Sequence, residues 1–229
     1  FIKRVFRRMK VLELFAGSRS FSKVAEELGM ETYCTDVNKF QGIDLVKDIL
    51  EVNATDIEEE FGMPDVIWAS PPCTTFSVAS LGYHWTGGKG AYIPKTDRCR
   101  NNIDVVEKSN SIIRYFLYRN PFLKYYVENP RGMLRKLESM DWATYRRTIW
   151  YCQYGDSRAK PTDIWTNDGV WSPRPVCKNG NPNCHHERAP RGSKTGTQGL
   201  KGNYLRSVVP SELCREILNN YWNGNTESL

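Results

Sequence analysis

Two side chains of this sequence stand where they can do chemistry, the thiol of Cys73 and the carboxyl of Glu128. In DVIWASPPCTTFS the apolar run Val66-Ile67-Trp68 reads as a buried strand. Ser70, Pro71 and Pro72 stop it, because proline has no N–H to donate to a ladder and fixes its own φ. Cys73 therefore falls just past a strand's carboxyl end, where open α/β sheets place their ligands. A second strand-like run, KYYVENP from Lys124 to Pro130, brings Glu128 to the same rim. A thiol nucleophile with a carboxyl group can attack an electron-poor ring and hold its polar edge. Taken singly, a free cysteine is most often a buried structural thiol, and Glu-Asn-Pro is an ordinary strand-end turn. The two together point to catalysis.

Two further constellations stand out. Gly17 lies between a strand and a helix, in a turn that lets a ligand approach the backbone with helix N–H groups facing it. Asp36 follows at the end of the second strand, about 20 residues on, where ribose hydroxyls are commonly held. A plain strand–turn–helix is the alternative. In CKNGNPNCHH, Cys177, Cys184, His185 and His186 fall within ten positions of a segment poor in apolar residues. Small units of this kind often need a metal, and zinc takes a tetrahedral set of Cys and His. The spacing is not that of a standard finger, and adjacent histidines rarely both bind one ion. A structural zinc therefore stands against a polar surface loop. Cys177, Cys184 and one histidine are the expected ligands, with the fourth from elsewhere.

The elements that must position these residues alternate. Lys10 to Phe15 reads as a first strand, and Phe21, Val24, Ala25 and Leu28 form the stripe of an amphipathic helix closed by Gly29. Strands are expected at Thr32 to Thr35, more weakly at Leu45 to Leu50 around Asp48, and at Asp65 to Ala69. A long helix from Ile103 to Tyr118 precedes strands at Tyr125 to Val127, Arg147 to Tyr154 and Asp163 to Thr166. Pro210 opens a last helix with Leu213, Cys214, Ile217, Leu218 and Tyr221. The alternation predicts an α/β fold with a doubly wound, Rossmann-like sheet. The polar, glycine-rich stretch 74–100 reads as a lid or binding loop carrying Lys89, Lys95, Arg98 and Arg100. Composition changes at Asn167, and residues 168–205 read as a small irregular insert into one body formed by 9–167 and 206–229.

The bulk properties agree with one domain. The chain has 229 residues, 40% hydrophobic and 25% charged, with a formal charge of +6 from 32 basic and 26 acidic side chains. That mild positive bias suits a polyanionic partner without demanding one. Apolar runs are too short for a transmembrane helix, and no secretory leader is recognisable. Seven scattered cysteines are an odd set, unlike a disulfide framework, and suit a reducing cytoplasm. FIKRVFRR, residues 1–8, reads as an extension upstream of a start at Met9, or alternatively as a basic arm on nucleic acid.

In order, VLELFAG (11–17), Asp36, Asp48, PPCTTFS (71–77), Glu128-Asn129, YGDSRAK (154–160) and RSVVP (206–210) resemble the motifs of the DNA cytosine-5 methyltransferase family, of the small kind found in phages and bacteria. The resemblance implies an enzyme that transfers a methyl group from S-adenosylmethionine to C5 of a cytosine flipped out of double-stranded DNA. It implies Cys73 as nucleophile and Glu128 as the group gripping ring nitrogen 3, with Arg158 and Lys160 supplying cations. For the cofactor it implies a stacking Phe15, an approach at Gly17, the ribose on Asp36 and the adenine amino group on Asp48. Ser18, Val37, Ile49, Pro71, Ser207 and Val208 line the same region. Arg19, with Ser20, stands where the family has glycines, so it either pairs with the methionine carboxylate or is solvated. Thr74 replaces a usual Gln, and Ser157-Arg158-Ala159-Lys160 is a reduced form of a Gln-x-Arg-x-Arg motif. Residues 168–205 stand where the family places its target-recognition region; Arg188, Arg191, Lys194 and Lys201 among glycines suit phosphates and base edges. So small an element implies a short target of about two to four base pairs; no apolar surface helix demands a dimer, so a monomer is expected, and the resemblance implies work in the cytoplasm of a bacterium or phage-infected host. An RNA cytosine-5 methyltransferase and a catalytically silent DNA-binding protein are the rival readings.

Overall fold

Strand β1 (Lys10–Leu14) has four consecutive buried residues, Val11 to Leu14, and β4 (Val66–Ala69) is buried throughout. Such continuous burial belongs to parallel strands covered on both faces. The computed structural model describes residues 7–87, 92–178, 180–187, 200 and 203–226. Its main sheet has seven strands: β1, β2 (Glu31–Asp36), β3 (Leu45–Val46), β4, β7 (Lys124–Pro130), β8 (Tyr145–Trp150) and β9 (Pro161–Thr166), in the order β3-β2-β1-β4-β7-β9-β8. The pairs from β3 through β7 are parallel, whereas β9 runs antiparallel to both β7 and β8. From β1 the chain builds outward in both directions, so β1 and β4 flank the switch point.

Side chains alternate across this sheet. Val11, Val66, Trp68, Tyr126 and Ile164 face helices α1 (Ser20–Glu27) and α6 (Ser211–Thr226), whose Phe21, Val24, Leu213 and Ile217 share their core. Leu12, Leu14, Ile67, Ala69 and Val127 form the other core with Ile57 and Phe61 of α2 (Ala54–Phe61) and Val106, Ile113 and Phe116 of α4 (Asp97–Arg119). The expected α/β architecture is present. Its details differ in several places, and the strand expected from Leu45 to Leu50 is only Leu45–Val46, followed by a 3₁₀ turn at Ile49–Glu51 that Asp48 caps. Helix α2 had no counterpart in the sequence reading. Helix α4 starts at Asp97 rather than Ile103, because the Thr96 side chain accepts the Cys99 amide and caps it. The segment expected as a strand from Arg147 to Tyr154 splits into β8 and a 3₁₀ turn at Tyr151–Tyr154. Finally, the 74–100 stretch is partly ordered: it holds a short helix α3 (Leu81–His84) and an antiparallel pair, β5 (Trp85–Thr86) with β6 (Ile93–Pro94). A last short helix, α5 (Asn203–Ser207), precedes α6.

The expected insert is not detached at its start. Trp171 is buried in the α1–α6 core and Arg174 bridges to Glu212 and Glu216 of α6. Residues 1–6, Lys89, Arg188, Arg191, Lys194 and Lys201 lie outside the described residues. No helix among the described residues is long and apolar enough to cross a membrane.

One buried charge in β1 holds α1 in place. Glu13 accepts the amides of Phe21 (3.3 Å) and Ser22 (2.8 Å), the first turn of α1. Burial nevertheless pushes its carboxyl up to about 6 from 4.5, the amide bonds only partly offsetting the loss of water. A raised carboxyl favours the folded state most when protonated. Its contribution is fully present below about pH 4.5 and is lost as pH rises through about 6, a swing of roughly 2 kcal/mol. Denaturant unfolding of the native chain and of Glu13→Gln should show their stability difference moving against the native chain by that amount between pH 4 and 7; parallel profiles would contradict the assignment.

Candidate active site

Strand β4 stops at Ala69, and the chain turns through Pro71, Pro72 and a half-buried Cys73. The Cys73 carbonyl accepts the amides of Phe76 (3.0 Å) and Ser77 (3.1 Å), which curls the loop on itself. Neighbouring β7 clamps it. Asn129 donates from Nδ2 to the Pro71 carbonyl at 3.0 Å, and Met133 N donates to the Phe76 carbonyl at 2.6 Å. Gly132 allows this approach: a Cβ there would sit 2.2 Å from the Phe76 oxygen. Sequence reading did not single out Gly132, although a glycine three residues after Asn129 was the available signal. From the other side, Trp85 Nε1 donates to the Thr75 carbonyl (2.7 Å) and Asn102 Nδ2 to the Thr75 (3.0 Å) and Thr74 (3.4 Å) hydroxyls.

Glu128, also buried, comes to the same rim. Its Oε1 accepts the Tyr151 hydroxyl at 2.9 Å and lies 3.6 Å from Lys160 Nζ. Lys160 is held with φ +26, and its ammonium sits over the Tyr151 ring, 4.3 Å from the centroid. Tyr151 was missed by sequence reading, being one aromatic among many with no motif around it. Burial pushes the Cys73 thiol up; the Lys160 charge opposes this, Glu128 adds to it, and Arg206 opposes it in turn. These influences join Cys73, Glu128 and Lys160 into one electrostatic group.

Arg158 has another task. It pairs with Asp156 (2.5 Å) and donates to the carbonyls of Leu205 (3.5 Å), Arg206 (3.4 Å) and Val208 (2.9 Å). Only 5% exposed, it fastens the 205–208 segment beside the site, and its guanidinium also lies 5.5 Å from the centroid of the Tyr151 ring. Of the two expected cations, only Lys160 reaches Glu128.

At the β1 end, Phe15 (φ +59), Gly17 (φ +46) and Arg19 (φ +56) bend the turn that leads into α1. Gly17 N donates to Asp36 Oδ2 at 3.0 Å, and a Cβ on Gly17 would contact Asp36 and the Ser207 hydroxyl. Three distant segments thus meet at one backbone. Asp36 also accepts the Asn38 amide at 2.8 Å, and Val37 beside it is 62% exposed. A carboxylate between a partly buried Phe15 and an exposed Val37 fits a nucleoside, with an apolar ring and polar hydroxyls. Asp48 lies farther along the rim, where its Oδ1 caps the turn containing the buried Ile49. Ser18 is buried, and its hydroxyl lies 2.7 Å from that of Ser20, which in turn accepts the Val209 amide at 3.1 Å. Arg19 is not solvated: its guanidinium pairs with Glu26 and donates to Cys34 Sγ at 3.4 Å.

The cysteine–histidine segment is drawn together with a residue of the body. Ligand atoms of Cys152, Cys177, Cys184 and His186 all lie within 4.8 Å of one another. His185, the other expected histidine, is exposed, with Nε2 3.0 Å from the Asp156 carbonyl oxygen, outside this group. Among the loop cations, Lys95 reaches the Gly82 carbonyl (3.1 Å) and Arg100 pairs with Asp97 (3.0 Å), while Arg98 is exposed.

No protein-family model matches the chain. A probable DNA (cytosine-5)-methyltransferase of frog virus 3 (isolate Goorha) is 30% identical over 223 residues, covering 92% of this chain and 99% of the viral protein. By that kinship the seven-stranded α/β body is a methyltransferase. The chain belongs to the DNA (cytosine-5) methyltransferase family. Among solved structures, the Entamoeba histolytica methyltransferase EhMeth aligns with a TM-score of 0.47 and 13% identity, over 75% of this chain and 58% of that one. A mutant of Spodoptera frugiperda DNMT2 aligns at 0.44 and 16%, over 79% and 57%. The chain spans less than two thirds of the length of either structure.

The electrostatic group predicts how Cys73 titrates. Replacing Lys160 by Met removes a cation that holds the thiol down, so alkylation of Cys73 by iodoacetamide, followed by peptide mass spectrometry, should move to higher pH. An unchanged profile would place Lys160 outside the thiol's field. Gly132→Ala should cut methyl transfer by at least roughly tenfold, since the Phe76 carbonyl has to move; normal turnover in a folded variant would rule out the clamp.

Proposed function

We propose that this chain methylates C5 of cytosine in double-stranded DNA through a covalent adduct on Cys73. The observation that carries the reading is the joining of Cys73 and Glu128 at adjacent strand ends, bridged by the Asn129–Pro71 bond, in a chain of this family. Carbon 5 of cytosine is too weak a nucleophile to take a methyl group unaided. Addition of the Cys73 thiolate to carbon 6 forms a C–S bond and moves electron density to carbon 5. Tyr151 and Lys160 hold Oε1 of Glu128, which leaves Oε2 for ring nitrogen 3. In its protonated form that carboxyl donates a hydrogen bond to ring nitrogen 3 and stabilises the negative charge that develops on the ring. The Lys160 ammonium favours the thiolate of Cys73. After transfer a base, for which a water suffices, takes the C5 proton; the C5–H electron pair forms the C5–C6 double bond, and the thiolate leaves with the C–S pair.

S-adenosylmethionine supplies an electrophilic methyl group. Phe15, Gly17, Asp36, Val37, Asp48, Ile49 and the Ser207–Val208 segment are the residues to hold it, with Ser18 and Pro71 at the edges. Arg158 acts as a positioning residue for that last segment. Residues 168–205, set into the catalytic body of 9–167 and 206–229, are assigned to target recognition. An element this small reads few bases, so the target is short, about two to four base pairs.

Duplex DNA bearing 5-fluorocytosine tests the chemistry directly, because fluorine cannot leave as a proton does and the adduct persists. A Cys73-linked complex is expected with the native chain and none with Cys73→Ser, which should keep its affinity for S-adenosylmethionine. Labelled methyl incorporation into RNA but not DNA would replace the substrate. Cofactor binding with no turnover on mixed genomic DNA or RNA would make the chain a silent binder. Modification confined to sites of six base pairs or more would overturn the short-target assignment.

A further inference from the structure

The four side chains gathered behind Tyr151 remain outside that chemistry. We propose that Cys152, Cys177, Cys184 and His186 bind one zinc ion, a closed structural centre that fastens the insert to the turn bearing Tyr151. Cys152 belongs to the body, in the 3₁₀ turn after β8, whereas the other three come from the insert. Their ligand atoms lie within 4.8 Å of one another, and Cys177 Sγ is 3.8 Å from His186 Nδ1. Around a tetrahedral zinc with bonds of about 2.3 Å to sulfur and 2.0 Å to nitrogen, neighbouring ligand atoms stand about 3.6–3.8 Å apart. The cluster needs to contract by less than about an ångström to close on the ion.

The chemistry of the set is selective. Three thiols and an imidazole, without a carboxylate, are soft and borderline ligands that suit zinc over magnesium or calcium. All three cysteines are free. Amide donors already surround the sulfurs: Asn181 Nδ2 lies 3.4 Å from Cys177, and Gln153 Nε2 lies 3.8 Å from Cys152 and 3.9 Å from Cys184. Such outer contacts stabilise thiolates on a metal. Four protein ligands leave no open position, so the centre is structural rather than hydrolytic. Ligation at Nδ1 puts the imidazole proton on Nε2, and the Gly180 amide, now 3.2 Å from Nε2, must then turn away.

Something other than a core has to hold this segment. Around the cluster, Trp150 and Ala159 supply the remaining apolar contacts. Among the described residues the backbone adds a bridge between Arg158 and Glu187 and the bond from Glu187 N to the Ser157 carbonyl, 2.9 Å. A metal on Cys152 would set the insert one residue from Tyr151, whose hydroxyl holds Glu128.

Metal content of the full chain, purified reduced and without chelators, decides the matter independently of methyl transfer. Plasma mass spectrometry should find about one zinc per chain, and cobalt exchange should give the intense visible bands of a tetrahedral thiolate site. Cys152→Ser, Cys184→Ser and His186→Ala should each retain zinc against a competing chelator at least about tenfold less well, whereas His185→Ala should match the native chain. Chelation should raise hydrogen exchange in residues 177–187 and leave β1 unchanged. If Cys152→Ser fails to fold, the native stoichiometry and cobalt spectrum still decide. A native chain without metal whose three thiols alkylate freely, a disulfide among them, or loss of zinc in His185→Ala would overturn the proposal.

Discussion

The site depends on the lateral clamp between the ends of two parallel strands, β4 and β7. Parallel pairing alone sets Ala69 beside Val127, but it does not say what the loops beyond do. Asn129 reaches across to the Pro71 carbonyl, and the missing side chain of Gly132 lets the following backbone press against Phe76. A buried carbonyl needs a donor, and the two prolines before Cys73 have no N–H of their own to offer. The clamp thus satisfies the backbone and aims the thiol in one arrangement. It also explains why Asn follows Glu at the end of β7: one side chain meets Tyr151 and Lys160 at the rim, and the next holds the loop that carries Cys73.

Charge is distributed around this clamp with a division of labour. Glu128 is buried with a phenol and an ammonium on the same oxygen, an arrangement that keeps a carboxyl fixed while leaving its other oxygen available. Arg158 stands only two residues before Lys160 yet works elsewhere. Its five donors are spread over Asp156 and three carbonyls of the 205–208 segment. A planar fork can satisfy several buried carbonyls at once, as an ammonium cannot. The result ties the 205–208 segment to the turn after β1, where the Ser207 hydroxyl lies within contact range of a Cβ built on Gly17.

The insert is organised differently from the body. Its first part is anchored by ordinary means, through Trp171 in the α1–α6 core and Arg174 on two glutamates of α6. Beyond Pro175 few apolar side chains of the described residues are buried, and Cys177, Cys184 and His186 gather with Cys152 of the body. Such a segment cannot offset the entropy of its own ordering by burial, so its attachment has to come from specific bonds to the 152–158 stretch.

The sequence by itself determined the local elements and the residues at their ends. Apolar runs and helical stripes located most strands, α1 and α6, and the Pro-Cys and Glu-Asn motifs were readable because each signal lies within a few adjacent residues. Boundaries were less legible where a side chain decides them: Thr96 starts α4 six residues early, and the 3₁₀ turn after Trp150 ends β8. The α2 helix went unread because Glu and Asp crowd its stripe, leaving Ile57 and Phe61 as its two buried anchors. Only the tertiary structure could show that Tyr151 supports Glu128, that Arg158 serves the C-terminal segment, that Gly132 is needed for a contact with Phe76, and that Cys152 joins Cys177, Cys184 and His186 in place of His185. Each of these is a meeting between residues far apart in the chain. Periodicity and spacing describe neighbours along the backbone, whereas such meetings are set by the order and direction in which strands pair.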